Sequence, residues 1–465
     1  MKSTKGKIVS EAGLAAAREK MEAAGVARPA IEVFSHYYKL LTSGETGLIR
    51  EDTITPLLDP PMLADVDITD DAAAEAIGRT VIVKLNGGLG TSMGLDRAKT
   101  LLEVRDGKNF LDLIVDQVRA ARKTYDARLP LLFMTSFRTD VDTLAHLARY
   151  DDLVVDGLPL TFVQNQEPKL RADDLTPVTW EADPTLEWCP PGHGDLYTAL
   201  EGSGVLDELL AAGFRYACVS NGDNLGAAPD ATIAGWFAAS GAPYAAELCR
   251  RTINDKKGGH LAVRKADGQL ILRDTAQTAP EEMDYFTDEH RHPFFHTNNL
   301  WFDLQKLRDT LVERESVLGL PMIRNEKTVD PGDSSSTPVI QIETAMGAAI
   351  EVFEGATAIC VGRDRFQPVK TTNELLLLRS DVYDLGDDGR LAATTESTPE
   401  IDLDPKFYKV VDKFSERIPH QLSLRGATSF KVRGDWRFGR DVRVVGDAEL
   451  AGDGGTVEDG ATVGE

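Results

Sequence analysis

The stretch VIVKLNGGLGTSMGLDRAK, residues 81–99, joins an apolar β-branched run (Val81, Ile82, Val83) to a loop with glycines at 87, 88, 90 and 94, then to Lys99. A strand that opens into such a loop lets a ligand approach bare backbone N–H groups, because glycine has no Cβ. Successive amides pointing one way form a nest for phosphate, and a following helix N-terminus adds its dipole. Lys99 supplies a full charge. The stretch reads as a nucleotide-phosphate grip; its bland counterpart is a glycine turn that holds no ligand.

Two familiar grips are excluded by spacing. A P-loop carries glycine directly before its lysine, whereas Lys99 follows Ala98. The dinucleotide fingerprint GxGxxG starts at Gly88 and Gly90 but meets Met93 where the third glycine belongs.

Outward from this loop, short apolar runs alternate with amphipathic ones. VIVKL is followed by FLDLIVDQVRAAR, PLLFMTS by TDVDTLAHLARY, and then come LTFVQN and FRYACVSN. That order predicts an α/β domain with a mainly parallel sheet, in which ligands bind beyond the carboxyl ends of the strands. Residues 10–43 have helical stripes (Leu14, Ala17, Met21, then Ile31, Phe34, Tyr37, Tyr38, Leu41). From residue 425, apolar pairs recur with glycine turns roughly every six or seven positions. Phe430, Val432, Trp436, Phe438, Val442, Val444 and Leu450 are the inward positions of a small β-helix-like module, with a twisted hairpin sheet as the alternative. Residues 401–418 read as a connector with a short helix. The expected division is 1–78, an N-terminal helical segment; 79–415, the catalytic domain; and 416–465, the C-terminal module.

Composition narrows the class. The 465 residues suffice for about three domains. A formal charge of −24 argues against nucleic acid and anionic membranes as partners, so an anionic substrate needs a local basic cluster. Cys189, Cys218, Cys249 and Cys360 are far apart, with neither metal-site nor disulfide-framework spacing. The N-terminus lacks the continuous apolar core of a signal peptide, and no 18-residue apolar run occurs. The expected location is the cytoplasm.

Four later clusters carry chemistry. In CPPGHGDLYTAL, two prolines lead into His193 held between Gly192 and Gly194, which suits close approach to a ligand. In FRYACVSNGDNLGA a strand ends in Asn221, Asp223 and Asn224; the carboxylate fits a Mg²⁺ ion shared with phosphate, and an Asx turn is the plain reading. FFHTNNLWFDL places Asn298 and Asn299, amides suited to sugar hydroxyls, between aromatic residues. VGRDRFQPVKTTN gathers Arg363, Arg365 and Lys370 into a basic island. Lys257 in NDKKGG is a secondary candidate.

LNGGLGTSMG, PPGHGDLY, NGDNLGA, KKGGHLAV, FHTNNLW, IQIETAMGAAI and RFQPVKTTN stand in this order along one chain. Together, over about residues 30–440, they resemble the eukaryotic-type UTP–glucose-1-phosphate uridylyltransferase (UDP-glucose pyrophosphorylase) family. The resemblance implies a Rossmann-like nucleotidyltransferase domain with a mixed, mainly parallel sheet. It also implies Mg²⁺, with UTP and glucose 1-phosphate as substrates. Leu85, Asn86, Gly87 and Gly88 would lie against the nucleotide, with Lys99 on its phosphates. Gln164 would read the uracil edge, for which an amide that donates and accepts is suited. Gly192 would approach the base or ribose, and His193 the sugar phosphate. Asn221, Gly222 and Asp223 would line the sugar and metal side, with Asp223 the Mg²⁺ ligand. Asn298 or Asn299 would hold glucose hydroxyls. Lys370 would act on the reacting phosphates.

Two positions depart from the family pattern. Asp96-Arg97-Ala98-Lys99 stands where Gly-Pro-Lys is usual, and Asp274 replaces a glutamate that accepts a sugar hydroxyl. The implied chemistry is attack of the sugar phosphate on the UTP α-phosphorus. That nucleophile is already anionic, so the work is positioning and charge stabilisation. The competing readings are a related UDP-sugar or UDP-N-acetylhexosamine pyrophosphorylase, a nicotinamide dehydrogenase, and a non-catalytic UDP-sugar binder. The C-terminal module is where a homo-oligomer would assemble, while the sequence leaves the oligomeric state open.

Overall fold

Val81, Ile82 and Val83 are fully buried because the strand that contains them is covered on both faces, as a parallel strand inside an α/β layer must be. The computed structural model describes residues 4–45, 47–252, 255 and 258–465; Lys257 lies outside them. Among the described residues ten strands form one mixed sheet: β1 (Ile54–Pro56), β2 (Thr80–Asn86), β3 (Leu131–Thr135), β4 (Thr161–Val163), β5 (Tyr216–Asn221), β6 (Tyr244–Arg250), β7 (His260–Arg264), β8 (Leu270–Arg273), β9 (Phe294–Asp303) and β10 (Thr357–Cys360). The main path runs β1-β7-β9-β5-β2-β3-β4. Strands β5, β2, β3 and β4 pair in parallel, and β9 joins β5 antiparallel. Strand β6 pairs antiparallel with β9 and parallel with β10. From β2 the chain goes to β3 and β4 on one side and returns to β5 on the other. The carboxyl ends of β2 and β5 therefore flank the crevice where such sheets bind ligands.

One face is covered by the helices Asp70–Gly78, Phe110–Tyr125 and Ala231–Ser240, the other by Leu196–Gly202, Val205–Ala211 and Leu304–Glu313. The helix after the glycine loop starts at a capping box: Asn109 accepts from Asp112 N–H and the Asp112 carboxylate from Asn109 N–H, each at 3.0 Å. The expected N-terminal stripes are observed. Ala17, Met21, Ile31, Phe34, Tyr37, Tyr38 and Leu41 are buried and share a core with Met322, Ile340 and Ile342 of an antiparallel hairpin; Leu14 packs at its edge. Ile54–Pro56 joins the central sheet, so residues 1–78 are not wholly helical.

The C-terminal segment pairs in parallel throughout. Glu400–Leu403, Ser423–Val432, Arg443–Leu450 and Thr462–Val463 make successive rungs on one face, and Asp435–Phe438 with Gly454–Val457 a second. Parallel rungs select the β-helix-like reading over the hairpin, which would be antiparallel. Phe430, Val432, Phe438, Val442 and Val444 are buried as expected, whereas Trp436 and Leu450 are half-buried. The first rung lies at residues 400–403, ahead of the expected boundary at 416. It is part of what reads in sequence as a connector, followed by two short helices, Pro405–Tyr408 and Val411–Arg417.

Candidate active site

The crevice is a cleft of about 820 Å³. Its lining includes Leu85, Gly87, Gly88, Lys99, Gln164 and His193, together with Asn86, Gly192, Asn221 and Asp223. The strand ends β2 and β5 touch: Gly222 N–H donates to Leu85 O at 2.8 Å, and a Cβ on Gly222 would stand 2.8 Å from that oxygen. Only glycine permits this approach.

Lys99 reaches the cleft without the family's Gly-Pro turn, because Ala98 is held in a bridge to Leu89. Its Nζ lies 2.6 Å from Asp223 Oδ2 and also donates to Val369 O. The Lys99 cation and the Asp223 carboxylate are thus paired with each other. Asn86, by contrast, is a latch. It is 3% exposed, its Nδ2 donates to Thr143 Oγ1 (2.9 Å) and its Oδ1 accepts from Thr100 (2.7 Å). Both ends of its amide are thus engaged within the protein, which fixes the side chain and leaves one N–H and one lone pair over.

Gln164 follows β4, and its N–H donates to Thr135 O at 2.8 Å. Its amide lies over Gly87, where a Cβ would be 2.9 Å from Gln164 Oε1. It has no hydrogen-bond partner among the described residues, so it is free to pair with a base edge. Its neighbour Asn165 donates from N (2.6 Å) and Nδ2 (2.9 Å) to the buried Asp195 carboxylate. Asp195 thereby ties the Gln164 segment to the His193 segment, and burial pushes its pKa up to about 7 despite those two bonds.

His193 accepts at Nδ1 from Met346 N–H (3.0 Å). Burial lowers its pKa, opposed by the charge of Asp274. A neutral ring with Nδ1 so occupied carries its proton on Nε2 and can donate to an anion there. Gly192, with φ +79°, makes the turn possible; a Cβ would lie 2.5 Å from Thr344 O. His296 is arranged alike: Nδ1 accepts from Asn298 N–H (2.9 Å), Nε2 is buried without a partner among the described residues, and burial pushes the ring down to about 4. The motif FHTNNLW contains this histidine, but no role follows for it from the sequence. Asp274 caps the short helix Thr275–Gln277, accepting from Thr275 N–H at 2.6 Å, so one of its oxygens is already engaged.

Two expectations are corrected. Asn298 is half-buried with φ 61°, whereas Asn299 is buried and fully engaged with Glu247, Arg365 O and Asn224. A register shift between β6 and β9 at Ala246/Leu248 accompanies this, and strand alternation turns the two amides to opposite faces. Asn299 is therefore a core residue and not a sugar contact. The basic island also dissolves: Arg365 is buried against Glu247, and Arg363 pairs with Asp255 at 2.9 Å. Lys370 is exposed like Arg363 but, unlike it, has no partner among the described residues. Its loop is held at the cleft by Val369 N–H on Asp223 O (3.3 Å) and a bridge between Pro368 and Asn224.

A glycine loop at a sheet's switch point, with an unpaired amide and a lysine–carboxylate pair in the same cleft, is the arrangement of a nucleotide-handling α/β enzyme. A family profile for UTP–glucose-1-phosphate uridylyltransferase matches residues 31–444. The Saccharomyces cerevisiae UTP–glucose-1-phosphate uridylyltransferase is 40% identical over 414 residues, 88% of this chain and 81% of that one. The Solanum tuberosum enzyme is 38% identical over 413 residues, 88% and 82% respectively. A variant of the Leishmania major UDP-glucose pyrophosphorylase in complex with UDP-glucose superposes with a TM-score of 0.90 at 42% identity, covering 97% of this chain and 98% of that one. The chain belongs to the UTP–glucose-1-phosphate uridylyltransferase family.

Proposed function

We propose that this chain catalyses UTP + glucose 1-phosphate → UDP-glucose + pyrophosphate, in a Mg²⁺-dependent reaction in the cytoplasm. The observation that carries this reading is the convergence of Gln164, His193, Lys99 and Asp223 on one cleft between β2 and β5. A sugar-phosphate oxygen attacks the UTP α-phosphorus, a new P–O bond forms, and pyrophosphate leaves with the bonding pair. Both reactants are anions, so the barrier the protein must lower is repulsion and disorder. Gln164 would orient the base, His193 Nε2–H would donate to the sugar phosphate, and Lys99 and Lys370 would hold the reacting phosphates. Asn298 and Asp274 would serve the sugar hydroxyls.

Among the described residues no group of three His, Cys, Asp or Glu side chains could hold a metal alone. Asp223 has one carboxylate oxygen without a partner among the described residues, which fits a cation that takes one or two carboxylates and completes its shell with phosphate and water. Such a cation would neutralise the phosphates. Buried free cysteines at 189, 218, 249 and 360 suit a reducing compartment; no helix among the described residues is long and apolar enough to cross a membrane. The test is pyrophosphate release from purified protein given UTP and glucose 1-phosphate with Mg²⁺. ATP, CTP, GTP and other sugar phosphates are the controls. Release confined to the named pair supports the reading; UDP-glucose binding without release with any pair replaces it with a sensor.

A further inference from the structure

The turn after β5, which carries Asp223, is held from beneath by side chains on its carbonyls. Gln117 Nε2 donates to Leu225 O (3.0 Å), Lys84 Nζ to Ala227 O (2.7 Å), Arg365 to Ala228 O (3.1 Å) and Arg390 to Pro229 O (2.6 Å). Arg365, 4% exposed, forks onto Glu247 on β6, 0% exposed, with two bonds of 2.8 Å. Trp301 Nε1 and Asn299 Nδ2 complete the shell of that carboxylate at 2.9 and 3.1 Å. Burial alone would disfavour ionisation of Glu247, but the charge and hydrogen bonds of Arg365 outweigh it and keep its carboxyl below the usual range.

From this pair a continuous path leads to the cleft. Arg365 O accepts from Asn224 Nδ2 (3.1 Å), and Asn224 Oδ1 accepts from Gln367 N–H (2.8 Å). Asn224 follows Asp223, and Gln367 stands three residues before Lys370. We propose that the Glu247–Arg365 pair, acting through Asn224, is the positioning device that sets the Lys370 loop against the Asp223–Lys99 pair. The inference rests on the reading of Lys370 as a group that acts on the reacting phosphates. A buried ion pair contributes little net stability, because desolvation offsets its attraction. Here it supplies one orientation, a planar fork that a lysine does not reproduce.

The test is a double-mutant cycle on the full chain, read by steady-state pyrophosphate release. Arg365→Lys lowers kcat about ten- to a hundredfold, the scale of a misplacement near 1 Å, while KM for UTP stays within about threefold. In a Lys370→Ala background the same change costs less than about twofold, because the amine it positions is gone. Losses that multiply across the cycle overturn the proposal while leaving Lys370 its role. A Lys370→Ala protein that keeps more than about a third of its turnover removes that role, and the inference with it. If Arg365→Lys does not fold, Asn224→Ala, which keeps the ion pair and cuts the amide link, must show the same coupling. Additive behaviour there is equally fatal.

Discussion

Lys99 Nζ and Asp223 Oδ2 stand 2.6 Å apart in the cleft, each side chain about one-fifth exposed. On the proposed reading, the cation that would hold phosphate is here paired with the carboxylate that would hold the metal. On that reading substrate phosphates would draw Lys99 away from Asp223, and a divalent cation held by Asp223 would ease the exchange.

Asp223→Asn separates the two functions. Metal-free UTP should bind several-fold tighter to this variant, because Lys99 no longer has an anionic partner. Turnover should fall about 10²–10³-fold, the loss typical of one preorganised charge. Calorimetric titration of UTP, with and without Mg²⁺, checks the first half. Weaker metal-free binding would show that Lys99 does not face the nucleotide.

Gly88→Ala and Gly192→Ala should behave oppositely. A Cβ on Gly88 meets nothing within 4 Å, so the melting temperature should hold and any rise in KM for UTP reports a ligand against that backbone. At Gly192 the positive φ and the approach to Thr344 O leave no room, so soluble yield or melting temperature should drop as well. Differential scanning fluorimetry with substrate titration separates them.

Asn165→Ala should loosen Gln164 while removing no group from the cleft. It deletes one of the two bonds to Asp195 and leaves that carboxylate under-satisfied. KM for UTP should rise about tenfold, and the preference for UTP over CTP should narrow by a similar factor. An unchanged UTP/CTP ratio would detach Asp195 from base recognition.

The buried histidine His296 makes stability depend on pH. Its pKa falls from an ordinary 6.5 to about 4 on folding, so the unfolded chain binds the proton more readily. The sign follows: its contribution is intact above pH 6.5, is lost as pH falls toward 4, and levels off below. Relative to His296→Gln, the wild-type unfolding free energy should fall by about 3 kcal/mol across that window. Urea titrations at several pH values measure the difference; parallel curves would mean that His296 is not held neutral.

Local pattern carried much of the structure. The β-branched run at 81–83, the helix stripes at 14–41 and the glycine-punctuated rungs after 425 are each set by short-range periodicity, which a linear reading detects. The candidate residues Leu85 to Gly88, Lys99, Gln164, Gly192, His193, Asn221 and Asp223 do line one cleft. What escaped was the assignment of partners. Asp195 looks like one more residue of PPGHGDLY until Asn165 is folded against it, and Glu247 is a lone acid in the strand YAAELCR with nothing nearby in sequence to announce Arg365 as its partner.

The order of strands, glycine loop and carboxyl-end turns was legible in the chain alone, because hydrophobic period and glycine geometry act over a few residues. Which charges remain available for chemistry was settled only in three dimensions. Arg365 and Lys370 are near neighbours in sequence, but one is locked beneath the sheet by Glu247 and the other is left at the rim. Asn298 and Asn299 part in the same way. A side chain's burial and its partner come from distant segments packed against it, and those contacts leave no mark on local spacing.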